Sequence, residues 1–517
     1  MNDNDFIFSD GQFDIWKDSL SDERTKQSST KLLTKSNYLS AIQCSKYLWI
    51  RVNQADLISD PSEGLKHLFD SGHKVGALAT QYFPGGIDLS ADDFLKNIKN
   101  TQELIGRVDR KPIYEAGILI DRLYARIDIL VPVENSEWDL VEVKCSTKVK
   151  DIHYPDVAFQ RYICERSGLK IRNCYLMRIN NKYVKNGDID VNELFELEDL
   201  TSDLKEFSVS VEESVEGLLK VIDMPECPNV GICENCFKPY ECPLQYKCFE
   251  HVPEKSIFEF HGMRKSKQFK YYDAGKLLMS DVAENDLSDK HVIQRQCSIE
   301  DNPYINKDDI NAFIDGMKYP LYFMDFETFL EPIPRFNNSR PYQQIPFQFS
   351  VHVQKSVGST LEHTMFLDRT SKDPREEFGS KLKASLEEEG SIIVYYAPFE
   401  KSRLKELARD FPQYADWVDM ILPRIVDLRD PFSKFWYYHS SQRGSASIKK
   451  VLPAVTGISY DGMEISDGSS AFREYTRVTY SDVAEDEKQR VYNALEKYCA
   501  LDTEGMVNIV NKLKEIT

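Results

Sequence analysis

Two carboxylates stand one residue apart at the end of an apolar run, Leu321-Tyr-Phe-Met-Asp325-Phe-Glu327-Thr, and far downstream a tyrosine and an aspartate stand four apart in Tyr498-Cys-Ala-Leu-Asp502. Side chains alternate faces along a strand, so Asp325 and Glu327 project to one side. On a helix, Tyr498 and Asp502 lie one turn apart on one face. Acidic oxygens in this pattern can hold two hard divalent ions, Mg2+ or Mn2+, around a phosphodiester. A lone D-x-E at a strand end is commonly a solvated edge; its conjunction with the helix-borne pair is what points to a site. Between them lies Ile392-Ile-Val-Tyr-Tyr-Ala-Pro-Phe-Glu400, a further acid just after an apolar run. Asp427, in Arg424-Ile-Val-Asp427, is the alternative fourth acid, although its setting reads as the end of a strand.

A second constellation lies upstream. Asp128 sits in Ala-Arg-Ile-Asp128-Ile-Leu, and Glu142 and Lys144 alternate in Val-Glu142-Val-Lys144. Glu142 and Lys144 share a strand face, and an adjacent hairpin strand brings Asp128 beside them. Five of the eleven cysteines crowd one segment, Cys227, Cys233, Cys236, Cys242 and Cys248. Thiolates on proline-bearing turns converge on one soft centre, zinc or an iron–sulfur cluster, and their local spacing leaves both open. The other cysteines, among them Cys164, Cys174 and Cys499, read as small buried hydrophobes.

The elements that must position these groups follow from periodicity. Strands are expected over Pro112 to Leu119, Leu123 to Val133 and Trp138 to Lys144, with a turn at Glu134 to Glu137; a helix from about Tyr154 to Arg166 and a strand from Asn173 to Ile179 follow. In the C-terminal half, three strands, a helix, a strand and a helix, with the last acids on the final helix, make an RNase H-like layout. The segment between the halves has short apolar periodicity and lacks Gly/Ser or Pro richness, so it reads as a small helical connector. Within it, Arg264-Lys-Ser-Lys267-Gln-Phe-Lys270-Tyr271-Tyr272 interleaves cations with aromatics, either a track for nucleic-acid backbone and bases or a solvated helix face. Residues 1–30 are polar and aperiodic, and are expected to be a disordered extension.

At 517 residues the chain should hold about three domains. An apolar share of 41% is ample for packed cores, yet no run approaches the roughly 20 apolar residues of a membrane span. No basic start leads into an apolar run, so no signal peptide is expected and a cytoplasmic location is. The formal charge of −19 argues against a non-specific polyanion coat, while leaving room for a local basic track. There is no nucleotide-binding P-loop, so strand unwinding would come from a separate helicase or another repair or defence partner.

The Asp325, Glu327, Glu400, Tyr498 and Asp502 pattern resembles the DnaQ-like, or DEDD, 3′→5′ exonucleases of the subtype with a tyrosine before the last aspartate. The resemblance implies that Asp325, Glu327 and Asp502 hold the metals, that Glu400, standing where that family has an aspartate, completes the cage through a water, and that Tyr498 orients the attacking water. Asp128, Glu142 and Lys144 resemble the PD-(D/E)xK motif of RecB-type nucleases, which implies that the two acids hold metal and the lysine polarises the phosphate or the water. Gln160 and Tyr162 match that family's helix motif in shortened form, and His73 stands where some members have a further ligand. One cysteine before the nuclease core and three after it resembles the iron–sulfur nucleases of CRISPR adaptation and AddB-type systems, which implies a [4Fe–4S] cluster. Cys233, Cys236 and Cys242 give the spacing of those proteins. Cys236, Cys242 and Cys248, with Cys44, give that of a bacterial family of unknown function that fuses both nuclease modules, which much of this chain resembles, including its Gly444-Ser-Ala-Ser-Ile-Lys-Lys stretch.

The resulting expectation is an α/β protein. Residues 31–250 are expected to form a restriction-endonuclease-like domain with the cluster, 251–318 a connector, and 319–517 an RNase H-like domain with a mixed central sheet. It would act as a metal-dependent DNA nuclease in repair or defence against foreign DNA. The alternative makes the N-terminal half a non-catalytic iron–sulfur nucleic-acid-binding module and the C-terminal half an exonuclease on RNA, a substrate that neither motif distinguishes from DNA.

Overall fold

The computed structural model describes residues 31–517; the stretch 1–30, with its expected disorder, lies outside the described residues. The described chain is mixed α/β and divides into two units, one of 31–251 with Glu331–Gln343, the other of Val252–Leu330 with Gln344–Thr517. No helix among the described residues is long and apolar enough to cross a membrane.

The first unit is built on seven strands: β1 (Leu33–Thr34), β2 (Ile87–Asp88), β3 (Ile113–Ile120), β4 (Leu123–Pro132), β5 (Trp138–Val143), β6 (Ile171–Ile179) and β7 (Phe195–Asp199). Their order is β2-β3-β4-β5-β6-β7, with β1 pairing β4 in parallel. The β3-β4-β5 meander is antiparallel, and β5 reaches its parallel neighbour β6 through the helix His153–Arg166. A helical crossover is what a parallel pair requires. Leu123, Ala125 and Ile127 of β4 and Leu140 of β5 join Val157, Phe159 and Ile163 of that helix in one core, while Ile129, Val141 and Val143 pack with Leu68 and Val75 of the helix Glu63–Ala79 in another. A sheet apolar on both faces in this way gives near-continuous hydrophobic runs in sequence.

Glu331–Gln343 completes this unit from a distant part of the chain. Ile333 and Tyr342 pack on the second core, the Tyr342 hydroxyl bonds to the Cys145 carbonyl, and the Lys185 amide donates to the Ser339 carbonyl at 3.0 Å.

In the second unit, β8 (Tyr304–Ile305) pairs β14 (Tyr437–Tyr438), and the main sheet comprises β9 (Leu321–Phe329), β10 (Ile345–Gln354), β11 (Leu361–Leu367), β12 (Ser391–Val394) and β13 (Ile425–Asp427). The sheet order is β11-β10-β9-β12-β13, antiparallel on the β10 side of β9 and parallel on the β12 side. Tyr322, Met324 and Phe326 of β9 point into a core with Phe349, Val351, Phe378 and Leu404. The alternate residues of β9 therefore face the other side, where the 32-residue helix Glu485–Ile516 packs on β9 and β10. The connector folds as the helices Lys265–Asp273, Asp289–Glu300 and Lys307–Asp315 with a small cluster of Ile257, Phe260, Tyr271 and Val282.

The Arg264–Tyr272 track lies on and just before the helix Lys265–Asp273. Phe269 and Tyr271 are buried while Lys267 and Lys270 are exposed, so the interleaving is one amphipathic helix with its cations in solvent.

Candidate functional site

In the second unit, β9 delivers Asp325 and Glu327 and the helix Glu485–Ile516 delivers Asp502, so that one carboxylate oxygen of each lies within 4.8 Å of the others. Glu327 and Asp502 are buried, and Asp325 is partly open to solvent. The β9–β10 register sets Ser350 opposite Asp325, and the Ser350 hydroxyl meets that of Thr503 at 2.7 Å, which pins the helix at the residue after Asp502.

Burial, and then mutual repulsion, pushes the Asp325 and Glu327 carboxyls well above the ordinary carboxylate range. Asp502 is pushed up to about 6 by burial, an effect that hydrogen bonds from the Tyr460 and Tyr498 hydroxyls and the positive charge of Lys449 oppose. The Lys449 ammonium also lies 5.9 Å from the centre of the Tyr498 ring.

Glu400 sits in the first turn of the helix Ala397–Asp410, buried, with its Oε2 lacking a hydrogen-bond partner. Burial and then the Asp325 charge raise its carboxyl well above normal. Asp427 has a different task. It ends β13, and its carboxylate accepts the amide protons of Tyr396 at 3.0 Å, Ala397 at 2.9 Å and Arg429 at 3.0 Å. It thereby fixes the start of the helix that carries Glu400.

Sequence reasoning missed Tyr460 and Lys449 as neighbours of the acids. It also placed Cys499 among the isolated cysteines. That thiol is buried, but its Sγ lies 3.7 Å from Asp325 Oδ2, a position that follows from its place on the helix turn between Tyr498 and Asp502. Three carboxylates this close, with a fourth buried and one oxygen unpartnered, suit hard divalent cations, because oxygen donors are what such ions take and their charge removes the repulsion.

In the first unit, the register that pairs Ile129 with Val141 sets Asp128 opposite Glu142 at the next step. The Val143 amide donates to Asp128 Oδ2 at 2.8 Å, and Lys144 follows directly after β5 with its Nζ 2.7 Å from Glu142 Oε1. Two groups join them that sequence reasoning did not find. Lys35, at the start of the helix Lys35–Gln43, reaches Glu142 Oε1 at 2.9 Å, and Asp156, in the first turn of His153–Arg166, reaches Lys144 Nζ at 2.8 Å. Gln160 bridges the acids, donating to Glu142 Oε2 at 2.8 Å and Asp156 Oδ1 at 2.9 Å. The adjoining Tyr162 instead packs at the edge of the apolar core, and His73 is exposed on Glu63–Ala79.

The cysteines come together across a long sequence separation. Cys44, the residue between the helices Lys35–Gln43 and Ser45–Asn53, lines one recess with Cys233, Cys236, Cys242 and Cys248. Gln43 holds the loop in place by donating to the carbonyls of Asn235 at 2.8 Å and Tyr240 at 2.7 Å. Cys236 and Cys242 are pushed up to about 11 and about 12, first by burial, and each also feels Cys44 and Cys248. Cys233 is exposed, and Cys227 is half-buried against an apolar cluster of Tyr47, Trp49, Ile50 and Leu244. Converging thiols are a donor set suited to a soft metal centre, whose charge would stabilise the thiolates.

Residues 322–447, which include Asp325, Glu327 and Glu400, match a family model described as a domain of unknown function, DUF2779. Over 218 residues the chain is 28% identical to the uncharacterized protein MG366 of Mycoplasma genitalium, covering 38% of this chain and 32% of that protein. Over 222 residues it is 26% identical to the uncharacterized protein UU173 of Ureaplasma parvum serovar 3, covering 39% and 32%. The chain thus spans about a third of the length of each of these relatives. No solved structure matches it.

Proposed function

We propose that the protein is a metal-dependent nuclease whose second unit is a DnaQ-like 3′→5′ exonuclease on an RNase H-like sheet. The observation that carries this reading is the convergence of Asp325, Glu327 and Asp502 from a central strand and a long helix, with Tyr498 one turn before the last acid. The β11-β10-β9-β12-β13 order supports it, since a central strand flanked by an antiparallel and a parallel neighbour is the sheet such enzymes use.

Asp325, Glu327 and Asp502 would hold Mg2+ or Mn2+, with Glu400 completing the cage through a water, and the ions when bound neutralise charge developing on the phosphate and activate water. The chain's own groups provide position. The Tyr498 and Tyr460 hydroxyls hold the Asp502 carboxylate in one rotamer, Asp427 fixes the helix start that aims Glu400, and the Lys449 cation offsets the acidic field in which a polyanion must dock.

The first unit is read as a PD-(D/E)xK-like module in which Asp128, Glu142 and Lys144 form the site, and Cys44, Cys236, Cys242 and Cys248 hold a [4Fe–4S] cluster. The closed contacts of Lys144 with Glu142 and Asp156 favour a second reading of this half, a binding module that does not cut.

Degradation of a 5′-labelled single-stranded DNA by anaerobically purified protein with Mn2+ tests both. Products shrinking from the 3′ end that vanish with Asp325→Ala but persist with Lys144→Ala are expected from the exonuclease. Cleavage surviving Asp325→Ala and lost with Lys144→Ala makes the first unit the working nuclease, and absence of any cleavage by the unaltered chain refutes both assignments. The same strand as RNA decides the substrate.

A further inference from the structure

Lys35 and Lys144 are both buried, at 4% and 3% exposure, and their ammonium groups meet at a single oxygen, Glu142 Oε1, at 2.9 and 2.7 Å. One carboxylate does not need two lysines. The second anion between them is Asp156, whose Oδ2 lies 2.8 Å from Lys144 and whose Oδ1 lies 3.8 Å from Lys35. Unlike Asp128 and Glu142, Asp156 comes from no strand of the sheet but from the first turn of the helix His153–Arg166, next to Pro155 and after the irregular stretch that leaves β5. Gln160, one turn on, steadies it, yet keeps its own Oε1 buried without a partner, an acceptor left over inside an otherwise ion-paired cluster. A buried acceptor without a partner is destabilising, so its persistence in this cluster marks a place suited to a further hydrogen-bonding group.

We propose that Lys35 and Lys144 form a two-lysine subsite for a nucleic-acid phosphate, and that Asp156 fills this subsite as an internal anion until substrate replaces it. The inference rests on the reading of the first unit as one that engages nucleic acid, and adds Lys35 and Asp156 to its machinery. A phosphodiester carries one negative charge and two free oxygens, the same charge and oxygen number as the Asp156 carboxylate, so exchange leaves both ammonium groups paired. Displacement requires the start of the helix His153–Arg166 to move outward.

The test measures binding of a fluorescent single-stranded DNA to the full chain by anisotropy in EDTA, so that no metal-dependent cleavage occurs. Asp156→Asn keeps the shape and the bond from Gln160 while removing the competing charge, and should tighten binding several-fold. Lys35→Met should weaken it on the order of tenfold, the worth of a charge-assisted hydrogen bond, and should reduce the slope of log K against log salt by about 0.7. Lys35→Arg should retain binding. The double variant Lys35→Met/Asp156→Asn removes one charge of each sign, which protects folding from an unpaired buried charge. It should show none of the gain of Asp156→Asn alone.

Unchanged or weaker binding by a folded Asp156→Asn chain overturns the subsite, as does a double variant that keeps the full gain. Mn2+-dependent cleavage in an Asp325→Ala background reports on the nuclease assignment separately. A chain that binds through the two lysines without cutting keeps the subsite and loses that assignment, and one that cuts but ignores both substitutions does the reverse.

Discussion

Four carboxyls of the second unit set its behaviour with pH. Asp325, Glu327, Glu400 and Asp502 all have folded pKa values raised above their unfolded ones, by burial first and mutual repulsion next for the first three, and by burial for Asp502. A raised acid binds more protons folded than unfolded, so its favourable contribution is complete below the unfolded pKa and is lost as pH rises through the folded value. For Asp502 alone, a rise from 3.8 to about 6 amounts to about 3 kcal/mol against the ionised form. Metal-free protein should therefore melt at lower temperature as pH climbs from about 4 past 6, and Mn2+ should restore stability increasingly above 6. Thermal melts in EDTA and in Mn2+ across pH check this, and a metal-induced gain that shrinks with rising pH would contradict it. Asp325→Asn should abolish the proposed exonuclease activity and raise the metal-free melting temperature at neutral pH, since it removes a charge that repels its neighbours. Tyr460→Phe deletes one of two hydroxyls on Asp502, and should raise the half-saturating Mn2+ concentration about tenfold with a smaller loss of maximal rate, as expected for a charge-assisted hydrogen bond that positions a ligand. The acids and Tyr498 were legible in sequence because spacings of two and four map directly onto strand and helix faces. Tyr460, Lys449, Lys35 and Asp156 were not, because each reaches its site through the packing of an element whose own periodicity speaks only of its apolar side.

At the level of elements, the cysteine segment contrasts with the sheet it adjoins. The β3-β4-β5 meander announces itself through near-continuous apolar runs, and its strands begin and end within a residue or two of the expected positions. From Cys227 to Cys248 regular structure is confined to the short turns Glu234–Phe237 and Gln245–Cys248, too brief to hold themselves by backbone bonds alone. What orders them is the pair of Gln43 bonds, the cluster of Trp49, Ile50 and Leu244, and in the proposed state the metal centre. Binding free energy at such a site is also folding free energy. Cys44→Ser should therefore abolish the brown visible absorption of anaerobically purified protein and open 227–248 to protease, while Cys233→Ser, altering an exposed thiol, should leave both largely intact. Loss of colour with Cys233→Ser and retention with Cys248→Ser would reverse the choice between the two ligand sets. Sequence spacing supports either set; Cys233 is exposed where Cys248 is half-buried.

At the scale of the whole chain, the division into units does not follow chain order. Residues Glu331–Gln343 leave the second unit's sheet between two strands that pair with each other, Phe329 standing opposite Ile345, and return having contributed Ile333 and Tyr342 to a core of the first unit. Nothing local in Glu-Pro-Ile-Pro-Arg-Phe-Asn-Asn predicts that destination, because a polar, proline-bearing loop between strands reads the same whether it ends in solvent or on another core. The consequence is a separable dependence. Because Phe329 and Ile345 are already in register, replacing 331–343 with a tight two-residue turn should leave β9 and β10 paired and the acidic site formed. The first unit should meanwhile lose the Tyr342 bond to the Cys145 carbonyl, next to Lys144, and part of its apolar cover. Tyr342→Ala is the milder form of the same change, expected to cost the first unit about 1–3 kcal/mol, as removal of a half-buried, hydrogen-bonded side chain does. Calorimetry should resolve this as a downward shift of one transition, identified by its loss of visible absorption, with Mn2+-dependent 3′ trimming retained at temperatures below both transitions. A variant that loses trimming while the first unit's transition stays in place would show instead that the loop serves the proposed exonuclease site.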